Sequence, residues 1–332
     1  MAVFTPVSPA EADVWLRQYD LGALVSIEGI GSGIENSNFF VTTTSADNGG
    51  RFVLTIFENL DAAQLPFYLE FMAALAARGV AVPRPMADRS GAILQSLKGK
   101  PCCLATRLVG EFELDPLPEH CRQLGRTIAL MHEGGAAFAA ARPELMQPNL
   151  RGLDWQREML PQVLSWLPVD VAALLQDEIA AQTAHQSGAE HAALPRGPVH
   201  ADIFRNNVLF DGTRAAPHLG GVFDFYFAGV DTFVFDLAVA VNDWAIDLDT
   251  GAIDPARAEA LLAAYAAERP FTAAERAAWP MALRAGALRF WVSRLYDYYR
   301  PREAETLTPH DPTHFERILR LRRASPACAL PA

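Results

Sequence analysis

Apolar residues recur with two different periods along this chain, and the change falls near residue 110. Before that point, alternating apolar and polar positions separated by turn residues predict strands. These strand-like runs are residues 24–30, 39–44, 52–57, 93–97 and 102–108. Beyond it, apolar residues mostly recur every three or four positions, which predicts helices. These are residues 119–133, 155–166, 170–186, 254–268 and 281–299. We therefore expect an α+β protein with two lobes, residues 1–108 built mainly on an antiparallel sheet and residues 109–332 mainly helical.

Two helices are expected within the first lobe. Ser8 and Glu11 form a capping-box pattern around Pro9, so a helix should begin there and end near Gly22. A second helix, over residues 61–77, has its apolar residues on one stripe. That stripe predicts a helix packed against the sheet.

Residues 198–227 interrupt the helical lobe with a loop, a strand, a turn at residues 211–212 and a second strand. They hold Asp202, Asn207 and Asp224 among apolar residues, and carboxylates are rarely buried without a function. Phosphoryl transfer needs a carboxylate that orients the attacking hydroxyl and oxygen ligands for Mg²⁺. Asp202 is therefore a candidate base, and Asn207 and Asp224 are candidate metal ligands.

Each of these residues also has an ordinary structural explanation. Asp202 could cap a turn, and Asp224 could be a hydrogen-bonded buried acid. His200 is interpreted as a histidine that braces the loop rather than as a catalytic group. Taken together, the order and spacing of the polar residues favour the phosphoryl-transfer hypothesis.

Composition narrows the class of protein. The 332 residues are 51% hydrophobic and 20% charged, as in a globular chain, and the net charge of −11 argues against a nucleic-acid partner. The four cysteines have no metal-ligand spacing, which indicates reduced thiols. We find no secretion signal and no apolar run of membrane length. We expect a cytoplasmic protein that binds small molecules, as a monomer or homodimer.

A glycine-rich segment joins the first two predicted strands, with Gly29, Gly31 and Gly33 at alternate positions. Walker and Rossmann loops differ from it, because they lead into a helix. Between strands, the backbone amides of such a loop can cover phosphates, as in the glycine-rich flap of kinases. An ordinary flexible hairpin is the alternative explanation.

Two segments resemble the aminoglycoside-phosphotransferase-like branch of the protein-kinase superfold: HADIFRNNVLF at 200–210 and VFDFYF at 222–227. Other segments are similar to the bacterial homoserine kinase subfamily of that branch. These are GIENSNFF at 33–40, FVLTIFE at 52–58, LMHE at 130–133 and LRFWVSRLYD at 288–297. The resemblance runs from about residue 1 to residue 322, nearly the whole chain.

This resemblance implies a bilobal protein-kinase-like fold that uses ATP and Mg²⁺. It implies that Asp202 is the catalytic base and that Asn207 and Asp224 bind the metal. Residues from the glycine-rich segment, the third strand and the end of the fifth strand would contact ATP. These are Gly31, Gly33, Ser37, Asn38, Thr55 and Arg107. The implied reaction converts L-homoserine to O-phospho-L-homoserine, an intermediate of threonine synthesis.

One departure from the kinase pattern concerns the third strand. Kinases of this superfold usually carry a lysine there that holds the α- and β-phosphates. This chain has Thr55, and a hydroxyl does not replace the charge. The only lysines, Lys98 and Lys100, are predicted to be solvated charges of an exposed turn. Either another cation replaces the lysine or Mg²⁺ carries more of the charge, and Glu70, the expected helix partner, has no obvious mate.

Several side chains are candidates for substrate recognition. Arg294 and Asp297 share a face of the last predicted helix and would suit the carboxylate and the amine of an amino acid. An ion pair within the helix explains the same spacing equally well. Tyr226 and Asp243 are further candidates for lining the pocket. Asp236 is expected to anchor the loop or to cap the following helix.

Three other functions stay open at this point. A kinase of choline, an aminoglycoside or another amino alcohol would keep the fold and the chemistry. A non-catalytic kinase-like binding protein is motivated by Thr55. A metal-dependent hydrolase built on His200 and Asp202 lacks a further His/Asp cluster at ligand spacing.

Overall fold

The computed structural model describes residues 3–31, 36–60, 62–299, 311–325 and 328–331. Over these ranges the chain divides into two compact units, and the division falls between Val109 and Gly110. Each unit encloses a hydrophobic cluster of its own. The α+β fold with an antiparallel sheet followed by a mainly helical part is confirmed. The separate functions expected of the two lobes stay a prediction.

A five-stranded sheet forms the first unit, with order β1-β2-β3-β5-β4 and antiparallel neighbours throughout. Its strands are β1 (Leu24–Gly29), β2 (Asn36–Thr43), β3 (Arg51–Phe57), β4 (Gln95–Leu97) and β5 (Lys100–Thr106). Alternate residues of a strand point to opposite faces. Phe52, Leu54 and Ile56 therefore share one face, and they are buried in the cluster that also contains Trp15 and Tyr19.

Helices α1 (Pro9–Leu16) and α2 (Leu65–Ala77) complete this unit. The predicted capping box is confirmed, because the Glu11 amide donates to Ser8 Oγ and the Ser8 amide donates to Glu11 Oε2. The predicted end near Gly22 was wrong. After Leu16 the amide of Tyr19 bonds back only three residues, and the Tyr19 ring turns into the core against Trp15.

The second unit contains eight helices within the described residues. They are α3 (Pro118–Ala141), α4 (Leu153–Leu164), α5 (Val169–Gln186), α6 (Ala189–Ala192), α7 (Phe233–Trp244), α8 (Pro255–Glu268), α9 (Ala273–Tyr299) and α10 (Thr313–Ala324). Two small antiparallel sheets, of order β6-β8-β9 and β10-β7, accompany them. Their strands are β6 (Glu111–Phe112), β7 (Arg196–Val199), β8 (Val208–Thr213), β9 (Ala216–Val222) and β10 (Gly229–Thr232).

Three features of this unit differ from the sequence prediction. Helix α7 was not predicted, because nearly all of its residues are buried and it reads as one short, mostly apolar run. Helix α10 was also missed. The hairpin turn lies at residues 214–215 and not at 211–212, since Gly212 pairs with Pro217 inside the β8–β9 ladder. Gly212 uses a positive φ of 85° within that strand.

None of the four cysteines forms a disulfide in this structure. Burial raises the pKa of the Cys121 thiol to about 12, so it stays protonated at neutral pH. In the described part of the chain, no helix is both long and apolar enough to cross a membrane.

Candidate active site

The loop between β7 and β8 carries Asp202 and Asn207 together. The side-chain amide Nδ2 of Asn207 donates to the backbone oxygen of Asp202 at 2.8 Å and to its carboxylate Oδ2 at 2.9 Å. Asn207 is buried, whereas Asp202 is partly exposed. The amide therefore fixes the orientation of a carboxylate that solvent can still reach. Since Nδ2 faces Asp202, Oδ1 of the same amide is turned the other way.

The backbone of this loop is held by Asp236 in α7. Its Oδ1 accepts the Ala201 amide at 2.7 Å, and its Oδ2 accepts the His200 amide at 3.2 Å. Ala201 adopts a positive φ of 64°, a strained conformation for a residue with a Cβ. Bonds from a fully buried carboxylate hold it there, which places Asp202 at the tip of the turn. The prediction that Asp236 anchors the loop is confirmed.

His132 in α3 completes this anchor. Its Nε2 lies 2.9 Å from Asp236 Oδ2, and its Nδ1 lies 2.8 Å from the hydroxyl of Tyr265. Burial lowers the pKa of His132 despite the neighbouring carboxylate. A neutral imidazole that donates from Nε2 and accepts at Nδ1 satisfies both partners. Sequence analysis assigned His132 no role, because 104 residues separate it from Asp236.

His200 braces the loop, as its sequence position indicated. Its Nδ1 accepts the Asp202 amide at 3.2 Å, so its Nε2 carries the proton and donates to the carbonyl of Phe223 at 2.9 Å. Both ring nitrogens are thereby occupied within the fold. This arrangement supports the structural interpretation of His200 and not a hydrolytic one.

Asp224 lies at the open end of the hairpin beside Asn207. Val208 pairs with Val222, and the Phe223 amide donates to the Asn207 carbonyl at 3.0 Å. Asp224 follows directly, with a positive φ of 66°. Asn207 and Asp224 thus flank the same end of the ladder, as a shared metal requires. Tyr226 lies in the short 3-10 turn that comes next, and it is partly buried.

Arg205 is a structural residue of the loop that sequence analysis did not single out. Its guanidinium donates to the carbonyls of Leu114 and Asp243 at 2.7 and 2.6 Å, and its amide donates to Asp243 Oδ2 at 2.8 Å. The side chain is buried. Its position inside the HADIFRNN segment was the available signal, but its partners lie just after β6 and on α7, far away in sequence.

Arg294 of α9 faces the same region. Its guanidinium lies over the ring of Phe315, 4.4 Å from the centroid. Burial lowers its pKa to about 10, although the negative charges of Asp243, Asp202 and Asp311 act in the opposite direction. Within the described ranges, Arg294 makes no hydrogen bond or ion pair. A buried cation with these neighbours is a suitable partner for an anionic group.

Burial also raises the pKa of Asp243, while the charges of Arg205 and Arg294 oppose that shift. Asp297, one helical turn beyond Arg294, is exposed. Arg294 forms no ion pair with it, so the structure does not bring the two proposed substrate ligands together as a pair. Phe204, in the loop between β7 and β8, packs edge-on against Phe290, with 4.3 Å between ring centroids.

Of the residues predicted to contact the nucleotide, Asn38 lies on β2, Thr55 on β3 and Arg107 directly after β5. The hydroxyl of Thr55 donates to Asn38 Oδ1 at 2.8 Å. The guanidinium of Arg107 lies over the ring of Phe40, 3.7 Å from its centroid. Gly31 is exposed, and a Cβ there would meet no atom within 4 Å. Gly33 lies outside the described residues.

Ser37 differs from the others, because its hydroxyl is fully occupied. It accepts the amides of Phe4 and Thr5, both at 2.9 Å, and donates to Glu58 Oε1 at 2.5 Å. The side chain is completely buried. Its hydroxyl ties the N-terminal segment to the sheet, so we leave it out of the proposed nucleotide site.

The two lysines lie at the β4–β5 turn and are partly solvated, as predicted, but each also pairs with a carboxylate. Lys100 binds the carboxylate of Glu58 and donates to Thr5 Oγ1 at 2.9 Å. Lys98 donates to the carbonyl of Pro6 at 2.6 Å and pairs with Glu11 at 2.9 Å. The N-terminal segment packs over the turn and supplies Thr5, Pro6 and Glu11 as partners. These residues are far from the lysines in sequence, so the contacts were not predicted.

Among the described residues, no three His, Cys, Asp or Glu side chains cluster as a metal site. The predicted magnesium ligands are only two side chains, one amide and one carboxylate, so they do not form a cluster of that kind. Carboxylate and amide oxygens are nevertheless the donors that Mg²⁺ accepts, with water completing the octahedron. Oδ1 of Asn207, turned away from Asp202, fits that donor set.

A family model described as "Phosphotransferase enzyme family" matches residues 26–278. The chain belongs to this family, and it has the protein-kinase-like fold. Within it, the chain is 54% identical to homoserine kinase of Cupriavidus metallidurans, over 100% of this chain and 99% of that protein. It is 53% identical to homoserine kinase of Burkholderia mallei, over 100% and 98% of the two chains.

Solved structures agree on the fold. Amicoumacin kinase, in complex with AMP-PNP, Ca²⁺ and Ami, matches with a TM-score of 0.63 at 15% identity, over 90% of this chain and 86% of that one. An aminoglycoside phosphotransferase from Alicyclobacillus acidocaldarius matches with a TM-score of 0.63 at 16% identity, over 96% and 93%. The predicted kinase-like fold is therefore confirmed.

Proposed function

We propose that this enzyme transfers the γ-phosphoryl group of ATP to the hydroxyl of L-homoserine and releases O-phospho-L-homoserine, a step of threonine synthesis. The observation that carries the proposal is the 54% identity, across the whole chain, with a protein named homoserine kinase. The loop geometry supports the same chemistry, because it presents one oriented carboxylate beside two candidate metal ligands.

Asp202 is the proposed catalytic base. Its carboxylate accepts the proton of the substrate hydroxyl as the oxygen attacks the γ-phosphorus, and ADP leaves. The bond from Asn207 Nδ2 to Oδ2 keeps one carboxylate oxygen engaged, which reduces the rotational freedom that the base would lose in the transition state. The clamp by Asp236 fixes the backbone beneath it.

Asn207 and Asp224 are the proposed ligands of Mg²⁺, which neutralises phosphate charge when bound. Asn207 would use Oδ1 toward the metal while its Nδ2 holds Asp202. One side chain would then couple metal binding to the orientation of the base. The strained αL backbone at Asp224 supports a functional rather than a structural position for its carboxylate.

Arg294 is the proposed ligand of the substrate carboxylate. It is buried near Asp202 and Asp243, has no hydrogen-bond partner in the described part of the chain, and has a planar fork of donors that suits a carboxylate. Asp243 is the stronger candidate for the ammonium group, because it lies with Arg294 whereas Asp297 is exposed. Tyr226 is proposed to line the acceptor site.

Contacts to ATP are proposed for Gly31 and Gly33, for Asn38 and Thr55, and for Arg107. Arg107 follows directly on β5, and its stacked guanidinium forms a flat cationic surface beside Phe40. Such a surface would suit the adenine ring or a phosphate.

A coupled assay of ATP turnover with L-homoserine, L-serine, choline and an aminoglycoside tests the proposed reaction. We expect turnover with L-homoserine to exceed that with every other acceptor. A clear preference for one of the others would replace the acceptor and keep the kinase. No transfer to any of them, with ATP still bound, would favour a non-catalytic binding protein.

Asp202→Asn tests the proposed base. The substitution keeps the shape and removes the proton acceptor, so kcat should fall by about 10²-fold or more while nucleotide affinity changes little. Asp249→Asn, an isosteric change at an exposed position of the same unit, is the control. A near-normal kcat for Asp202→Asn would refute the assigned role.

A further inference from the structure

The sheet of the first unit has a polar pair where many kinases have a lysine. Asn38 of β2 lies directly opposite Thr55 of β3 in the antiparallel register. Directly opposed residues of such a ladder project to the same face of the sheet. Asn36, two residues before Asn38, shares that face, since side chains of a strand alternate.

Neither lysine of the chain reaches this face. Lys100 lies two residues before Cys102, which pairs with Ile56, so Lys100 projects to the face of Ile56. Thr55 is the next residue along β3 and projects to the opposite face. The ammonium groups of Lys100 and Lys98 are also bound to Glu58 and Glu11. No lysine can therefore take over the role of the missing strand lysine.

The Thr55 hydroxyl determines how the Asn38 amide is oriented. Its donated hydrogen bond, 2.8 Å long, ends on Oδ1, so the carboxamide plane is fixed and Nδ2 faces away from Thr55. Thr55 itself is only 5% exposed. Nδ2 of Asn38 makes no hydrogen bond to any described residue, and its two N–H groups are left as donors.

Asn36 provides a second, independent observation on the same face. Its side chain is 7% exposed, and its Oδ1 has no hydrogen-bond partner among the described residues. A buried acceptor without a partner is unfavourable. Donor N–H groups at Asn38 and an unused acceptor at Asn36 match a magnesium nucleotide, because phosphate oxygens accept and metal-bound waters donate.

We propose that Asn38 donates its Nδ2 hydrogens to a phosphate oxygen of the bound nucleotide, and that Thr55 is the positioning residue that holds the amide in this orientation. A neutral donor would thus stand where the strand lysine supplies charge in other kinases. The inference rests on the proposed kinase function. It also explains why a β-branched residue with a hydroxyl suits position 55, where valine would pack equally well but would leave Asn38 unrestrained.

Binding of Mg²⁺–ADP to the full-length protein, measured by titration calorimetry without acceptor, tests this arrangement. Asn38→Asp replaces the donor with an anion and should weaken ADP binding by about tenfold or more, the scale of a hydrogen bond to a charged group. Thr55→Val should weaken it by about threefold to tenfold, and Thr55→Ser should restore it. Asn59→Asp, the same charge change at an exposed position of this unit, should bind ADP like the wild type.

ADP affinity of Asn38→Asp within twofold of the wild type would overturn the inference, and so would unchanged binding by Thr55→Val. If Asn38→Asp fails to fold in a circular dichroism check, Thr55→Val and its Thr55→Ser counterpart carry the test. A wild type that binds ADP through Asn38 but does not phosphorylate L-homoserine would refute only the proposed reaction. A wild type that binds no ADP would overturn both.

Discussion

The carboxylate of Asp236 joins three separate parts of the second unit, and its removal should reveal how much the catalytic loop depends on it. It accepts the amides of His200 and Ala201 and binds Nε2 of His132. In Asp236→Asn, one side-chain oxygen becomes an NH₂ group of the same size. Donors meet donors in either orientation, because the NH₂ group faces the His200 amide and the His132 N–H at one position and the Ala201 amide at the other.

The expected magnitude follows from the buried groups left without acceptors. His200 is fully buried, so its amide cannot turn to water. A buried donor that loses its acceptor costs about 1–3 kcal/mol, and removing one partner of a hydrogen-bonded charged group falls at the upper part of that range. Because at least one buried donor loses its acceptor in either orientation of the new amide, we expect Asp236→Asn to lower the free energy of unfolding by about 2–4 kcal/mol.

Urea unfolding and steady-state kinetics measure the two consequences. Ala201 keeps its positive φ through these bonds, so kcat should fall with the loss of stability, while KM for ATP should change little. Asp249→Asn is the matched control at an exposed site. Wild-type stability together with wild-type kcat in Asp236→Asn would show that the carboxylate does not support the loop.

Three further predictions concern other groups. Burial lowers the pKa of His132 below its usual 6.5, so the unfolded chain takes up that proton first as the pH falls. Stability should therefore decline as pH falls from about 6.5. In a pH series of unfolding midpoints, His132→Gln should show a shallower decline than the exposed-site control His218→Gln. Glu58→Gln should lower the free energy of unfolding of the first unit by about 1 kcal/mol, since the Lys100 side chain is half-exposed, and should leave kcat unchanged. An unchanged free energy of unfolding would refute a stabilising role of the Glu58–Lys100 ion pair. Arg294→Lys keeps the charge but loses the planar fork, so KM for L-homoserine should rise about tenfold or more while KM for ATP stays constant; equal changes in both would exclude a specific contact with the acceptor.

Local patterns along the chain were sufficient for the framework. The Ser8–Glu11 capping box and the alternating strands of the first unit depend on neighbours a few residues apart, and both were predicted. The hydrogen bond between Asp202 and Asn207 is also local, because the two residues are only five positions apart in the loop. Short-range spacing constrains such contacts strongly, whatever the rest of the fold does.

Contacts between distant segments were beyond the reach of those patterns. Helix α7 is buried along nearly its whole length, and its Asp236 acquires a role only when α3 brings His132 beside it. The occupied hydroxyl of Ser37 depends on where the N-terminal segment packs. The sequence already contained both lysines and Thr55, but only the register of β3 and β5 assigns them to opposite faces of the sheet. Burial and pairing partners arise from packing across the whole chain, so they appear only in the folded molecule.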